Sequence, residues 1–282
     1  MKIARFEHKG IEDLGFVVGD RIIPFRELGL PSYLEYPFVK DEDIERILSI
    51  EGVGGKEIPL DEVIIKNPVK FPGKIVCLGL NYIDHAREQG REPPNRLIIF
   101  MKPRTALTGP YDTIYVPNFI RQLDYEGELA IVIGKRGKNI PAEEAQNYVL
   151  GYTVMNDVSA RDIQFGDKQW TRGKSLDGFA PLGPWIVTKD EVPNVDDLRI
   201  RTWLNDELRQ NGTTKNMVFN VPRIIEELSK IMTLEPGDII STGTPAGVGI
   251  FAKPEPKLIK DGDEVKIEIE NIGFIKNEFK FI

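Results

Sequence analysis

Three acids raise the first chemical question. In "LDYEGELAIVIG", residues 123–134, Glu126 and Glu128 stand two apart at the head of an apolar run. Residues i and i+2 of a strand point to the same side, so these carboxylates would sit about 7 Å apart at their Cα atoms, on a face continuing with Ala130 and Val132. Like charges so placed repel. If the strand is buried, a proton, a basic neighbour or a metal ion must compensate them. Asp157 ends the run "GYTVMND", from which a neighbouring strand could bring it to the same point. Three oxygen ligands, with water completing the shell, suit Mg²⁺ or Mn²⁺, which keep positions open for substrate oxygens. The same E-x-E pattern also describes the wet face of an edge strand, and an Asp after a strand also describes a turn.

The chain has two histidines, which narrows the search for a group that exchanges protons near neutral pH. His8 lies in a polar N-terminal hairpin region and is expected at the surface. His85, in "NYIDHAREQG", follows the run "KIVCLGL" where a strand gives way to a short helix or turn. On a helix, Glu88 at i+3 faces the same way and can accept a hydrogen bond from the imidazole, orienting it as a general base toward water. A surface ion pair without chemistry is the competing reading. Lys174 stands in the Gly-rich "WTRGKSLDGFAPLGP", expected to be a loop, and a catalytic lysine there would have to be partly desolvated. A phosphate loop is excluded, because position 168, where it needs Gly, is Lys. "STGTPAGVG", residues 241–249, offers backbone N–H groups and two threonine hydroxyls as a nest for an anionic group, with a plain turn as the alternative. No G-x-S-x-G elbow occurs, so a serine hydrolase triad has no support.

The elements that must position these residues are mostly strands. "KIVCLGL", "RLIIFMKP", "TIYVP", "ELAIVIG", "GYTVMND", "LGPWIVT", "RIRTWLN", "DIISTGTP" and "DEVKIEIENIG" read as strands, several of them apolar throughout, as expected where both faces are covered. "PAEEAQNYV" and "NVPRIIEELSKIM" read as helices, the second with Asn220 as cap and Pro222 in the first turn. Residues 1–70 read as a small unit of their own, with Gly19-Asp20 as a two-residue hairpin turn and a helix capped by Asp41. Pro and Gly in "KNPVKFPGK" suggest a linker, placing a boundary near Phe71 between a small N-terminal domain, 1–70, and a larger one, 71–282. Strands and helices do not alternate regularly, so the expected class is α+β, built around β structure.

Composition removes other functions. The 282 residues are 41% hydrophobic and carry a net charge of −7, with 37 basic residues scattered among 44 acids. That leaves no basic stripe for nucleic acid or an anionic membrane. Apolar stretches are far shorter than the roughly 18–20 residues of a membrane helix. One cysteine, Cys77, and no basic-then-apolar leader fit a reducing cytoplasm. Abundant Lys, Glu and Ile with 20 Pro hint at a thermophile.

Taken together, "GLNYIDHAREQG", "IIFMKP", "LDYEGELAIVIG", "GYTVMNDVSARDIQ", "QWTRGKSLDGFAPLGPWIVT", "WLNDELRQNGTT" and "LEPGDIISTGTPAGVG" resemble, in order, the motifs of the fumarylacetoacetate hydrolase superfamily, over about residues 71–275. The resemblance implies a mixed β-roll catalytic domain, a small N-terminal α+β domain and a homodimer. It implies that Glu126, Glu128 and Asp157 hold Mg²⁺ or Mn²⁺, that His85 and Glu88 form the proton-transferring dyad with Lys174 as a further catalytic residue, and that Arg161, Gln164 and Thr244 contact substrate. The implied substrates are small 2-oxo acids. The first expectation is carbon–carbon hydrolysis of an acylpyruvate through a metal-stabilised enolate. Alternatives are decarboxylation or isomerisation of a 2-oxo diacid such as oxaloacetate or 2-hydroxyhepta-2,4-diene-1,7-dioate, and dehydration of a 3-deoxy sugar acid. A non-catalytic dicarboxylate-binding module is the alternative of a different class.

Overall fold

The apolar runs form strands whose two faces enter two different cores. In the strand Gly127–Ile133 every residue is buried. Leu129, Ile131 and Ile133 pack with Val154 and Tyr152 on one side, and Ala130 and Val132 pack with Cys77, Met155 and Leu182 on the other. Each such side chain contributes roughly 1.5–3 kcal/mol by leaving water, which explains why no polar alternation is needed here.

The computed structural model describes residues 1–50, 54–167 and 169–282. Lys168, whose identity excludes a phosphate loop, lies outside them. The main sheet runs in the order Ile58–Pro59, Arg21–Pro24, Ile11–Val18, Lys2–His8, Ala180–Thr188, Val149–Asn156, Gly127–Ile133, Ile239–Ser241, Ile75–Gly79, Ile98–Lys102. A five-stranded sheet carries Arg199–Leu204, Glu207–Thr213, Glu264–Ile269, Gly273–Phe281 and Ile114–Val116. Helices are few and short, so the architecture is α+β. All nine expected strands form, and among the further strands are Glu207–Thr213 and Gly273–Phe281, in segments the sequence did not single out.

Three local expectations change. The segment Ala142–Tyr148 winds as a 3-10 helix rather than an α-helix. Lys40, not Asp41, occupies the cap position of Asp41–Leu48, and the Asp43 carboxylate accepts from the Lys40 N–H at 3.0 Å. His8 is half-buried on the first strand, with Nε2 3.8 Å from Glu62, rather than free at the surface. Asn220 does cap Val221–Ile231, accepting from the Arg223 N–H at 3.3 Å. The Gly19-Asp20 turn joins Val18 to Arg21. The first 70 residues meet the rest of the main sheet where Ile3 pairs with Ile186, and Leu14 and Phe16 share a core with Cys77 and Ala130.

Register assembles one end of the sheet. Gly127 pairs with Asn156, so the next pair along is Glu126 opposite Asp157, and the Asp157 N–H donates to the Glu126 carbonyl at 2.9 Å. On the other flank Ala130 pairs with Ser241, and Ser241 with Cys77 in parallel. The head of Gly127–Ile133 therefore meets the tails of three neighbours, and the chain beyond those tails carries Asp157, Thr244 and His85.

Candidate active site

Directly opposed residues of an antiparallel pair share a face, as do residues two apart on one strand. Glu126, Glu128 and Asp157 consequently converge: one oxygen from each lies within 4.8 Å of the others, and all three side chains are buried. Glu126 and Glu128 line the floor of a cavity whose walls include His85, Arg161, Gln164, Lys174 and Thr244, with Asp157 fully buried beside them.

Three buried cations grip two of these acids. Lys174 Nζ donates to Glu126 Oε2 at 2.7 Å and to Asp157 Oδ2 at 2.8 Å. Arg161 reaches Glu126 Oε1 at 2.7 Å and Asp124 Oδ2 at 2.9 Å. Lys102, which sequence reasoning missed, lies 2.7 Å from Asp157 Oδ1 and donates to the carbonyls of Lys174 and Phe179 at 2.7 and 2.8 Å. Its signal was a lysine closing the apolar run "IIFMK", whose alternate residues Phe100 and Lys102 are buried. Lys174 is 1% exposed, the desolvation a catalytic role required, and it sits on a short helix, Thr171–Lys174, rather than in the expected loop. Burial alone would raise the Glu126 carboxyl, but Lys174 and Arg161 outweigh it and hold the group well below the ordinary carboxylate range. Burial likewise disfavours the Lys174 ammonium, and Asp157 and Glu126 overcome it, so its pKa is raised.

Glu128 is the odd group. Lys102, Lys174 and Arg161 bring three positive charges to four carboxyl groups, those of Asp124, Glu126, Glu128 and Asp157, a formal balance of 3 − 4 = −1. Among the described residues Glu128 receives no cation, only the Ser241 hydroxyl and, at 2.9 Å, the Gly243 N–H, both on Oε2. Burial, then the charges of Asp157 and Glu126, push its pKa well above the ordinary value. The loop expected to cradle an outside anion thus spends its N–H groups on the protein's own acids, since the Gly247 N–H also donates to Glu88 Oε1 at 2.9 Å. Gly243 and Gly247 both take positive φ, 93° and 107°, a conformation glycine adopts without strain.

The other wall is the short helix Ile83–Glu88. His85 Nδ1 lies 3.0 Å from Glu88 Oε2; a carboxylate can only accept, so Nδ1 carries the hydrogen and Nε2 the lone pair. Gln89, also missed from sequence, places its amide nitrogen 2.9 Å from Nε2. Before this helix, Leu80 takes φ 57°, a conformation costing such a residue on the order of 1–3 kcal/mol, and buried Asn81 ties the turn to the carbonyl of Thr242 at 2.8 Å and the N–H of Phe219 at 2.9 Å.

The remaining expected residues face the same cavity. Arg161 donates to Gln164 Oε1 at 2.9 Å, leaving the Gln164 amide NH₂ for a guest. The Thr244 hydroxyl is committed on both sides, donating to the Gly127 carbonyl at 2.9 Å and accepting from Gln210 at 2.7 Å. It can offer a guest only a lone pair.

The acids suit a hard divalent cation. Their donor set is all oxygen, the Glu126 and Asp157 oxygens each keep a lone pair beyond their present contact and Glu128 Oε1 keeps both of its own, and the uncompensated Glu128 supplies the anionic charge such an ion would balance. The surrounding Lys, Arg and Ser contacts fix carboxylate orientation as outer partners of metal ligands do.

Residues 74–280 match the family model described as "Fumarylacetoacetate (FAA) hydrolase C-terminal". The chain is 51% identical over 223 residues to oxaloacetate tautomerase FAHD2B, mitochondrial, of Bos taurus, covering 78% of this chain and 71% of that one. Among solved structures it is similar to fumarylacetoacetate hydrolase from psychrophilic Exiguobacterium antarcticum, with 39% identity, a TM-score of 0.87 and full coverage of both chains. It is also similar to maleylpyruvate hydrolase from Sphingobium sp. SYK-6 in complex with manganese (II) ion and pyruvate, with 33% identity, a TM-score of 0.78, and 100% and 99% coverage. These relatives are enzymes, and among the described residues no helix is long and apolar enough to cross a membrane. With the fold, the motif order and the family match in agreement, the chain belongs to the fumarylacetoacetate hydrolase family.

Proposed function

We propose that this chain interconverts the keto and enol forms of oxaloacetate-type 2-oxo diacids, with a divalent ion, Mg²⁺ or Mn²⁺, held by Glu126, Glu128 and Asp157. This moves the weight from acylpyruvate hydrolysis to the isomerase alternative, because the bovine relative is named an oxaloacetate tautomerase. The observation that carries the reading is a single oriented base, His85 with its Nδ1–H tied to Glu88, lining the same cavity as Glu126 and Glu128.

A bound divalent ion would supply Lewis acidity to the carboxylate and keto oxygens of a 2-oxo acid. The chain's own groups then move the proton. Glu88 fixes the tautomer that leaves the lone pair on His85 Nε2, and Gln89 releases that nitrogen as substrate enters. Nε2 takes a proton from C3, the C–H electron pair becomes the C2–C3 double bond, and the keto oxygen gains negative charge. Lys174 spends two of its three N–H bonds on Glu126 and Asp157, so the third can face that oxygen. Return of the proton from His85 to the oxygen yields the enol, and the reverse sequence yields the ketone.

Hydrolysis of an acylpyruvate is the second reading, favoured by the two solved neighbours named hydrolases; the same dyad would then deprotonate water. Purified protein with Mn²⁺ or with EDTA should be given enol-oxaloacetate, followed by its ultraviolet absorbance, and acetylpyruvate. Metal-dependent acceleration of enol decay, with slow or no cleavage of acetylpyruvate, is expected. Cleavage of acetylpyruvate without enol turnover would overturn the tautomerase reading.

A further inference from the structure

One cation of the cavity is left over. Lys102, Lys174 and Arg161 are each bonded to floor carboxylates. Arg91 also lines the cavity, on the exposed side of its mouth, and among the described residues its guanidinium enters no ion pair or side-chain hydrogen bond, while its backbone does not dangle. Helix Ile83–Glu88 closes with Gly90 at φ 66°, the Gly90 N–H donating to Arg87 and the Arg91 N–H to Ala86, both at 2.9 Å. This left-handed glycine closure turns the chain back over the last helical turn, the turn that carries His85 and Glu88. The same helix end therefore brings the base and the arginine to one cavity.

The geometry points to Arg91 as the group that selects dicarboxylates, its guanidinium receiving the distal carboxylate of a 2-oxo or 2-hydroxy diacid whose other end lies over Glu126, Glu128 and Asp157. The inference rests on the proposed function for the placement of that first end. An arginine with no internal partner gives up only water to bind an anion, and a guanidinium pairs with a carboxylate through two parallel N–H bonds. The cavity lining also includes Phe100, Trp170 and Phe251, which carry no charge. A monocarboxylate would leave Arg91 in water and gain nothing from it.

The full chain loaded with Mn²⁺ should be titrated calorimetrically with L-malate and with L-lactate, which share a 2-hydroxy acid head and differ in the second carboxylate. Wild type is expected to bind malate at least about tenfold more tightly. Arg91→Met should erase that difference while leaving lactate affinity and the thermal midpoint unchanged, and Arg91→Lys should restore part of it. A malate-to-lactate ratio in Arg91→Met equal to that of wild type would overturn the inference, as would equal loss of both ligands. If wild type takes up Mn²⁺ but binds neither acid, the proposed function fails first, and the inference falls with it.

Discussion

On the floor of the cavity, Glu126 and Asp157 stand on paired strands inside a set of buried cations, with Lys174 and Asp157 1% and 0% exposed. The His85 wall hangs on a six-residue helix, joined to the loop opposite by one bond, Gly247 N–H to Glu88, and the Glu88 side chain keeps 17% of its surface in solvent. The floor is thus held by buried charges that cannot leave without cost, and the wall by a few hydrogen bonds to a partly solvated carboxylate, which can rearrange. A rigid acidic floor suits a tightly held ion. A softer wall suits a base that must release one partner, Gln89, to engage another.

The largest expected effect breaks the floor. Lys174→Met leaves buried Glu126 and Asp157 short of a partner and should lower the stability of the metal-free protein by roughly 3–5 kcal/mol, read from urea unfolding. An unchanged midpoint would mean that the floor is not held by charge. On the wall, His85→Gln keeps size and polarity but removes the base. Turnover of enol-oxaloacetate should fall by about 10²–10⁴-fold, with Mn²⁺ affinity and urea stability close to wild type, and retained turnover would clear His85 of the proposed role.

A smaller effect separates Glu128 from Glu126. A carboxyl whose folded pKa is raised holds a proton that the unfolded chain has lost, so its contribution to stability falls as pH climbs from about 4.3, the ordinary Glu value, toward the raised one. Glu126, held low, contributes in full above that ordinary value and loses its contribution only below it. Metal-free wild type should accordingly show a stability decline above about pH 4.3 that is absent in Glu128→Gln and flattened by saturating Mn²⁺. Identical pH profiles for the two metal-free proteins would contradict the assignment of that proton to Glu128.

Much of the floor was legible because strand geometry acts locally: the two-residue spacing of Glu126 and Glu128 and the position of Asp157 at a strand end already imply a common face. Lys102 was not legible, since nothing in "IIFMK" says which carboxylate its side chain will meet across the sheet. The partners of "STGTPAGVG" were not legible for a similar reason. Its N–H groups are plain in the sequence, but their partners, Glu128 and Glu88, lie more than 100 residues away. The short helix at Lys174 and the 3-10 winding of Ala142–Tyr148, which packs against the helix Val221–Ile231, are set by tertiary contacts that override weak local preference.

The most direct measurement is a calorimetric titration of wild type and Glu128→Gln with Mn²⁺. Wild type should bind one ion per chain, while Glu128→Gln should bind at least about 100-fold more weakly. Wild-type affinity in Glu128→Gln would show that these three carboxylates do not share an ion.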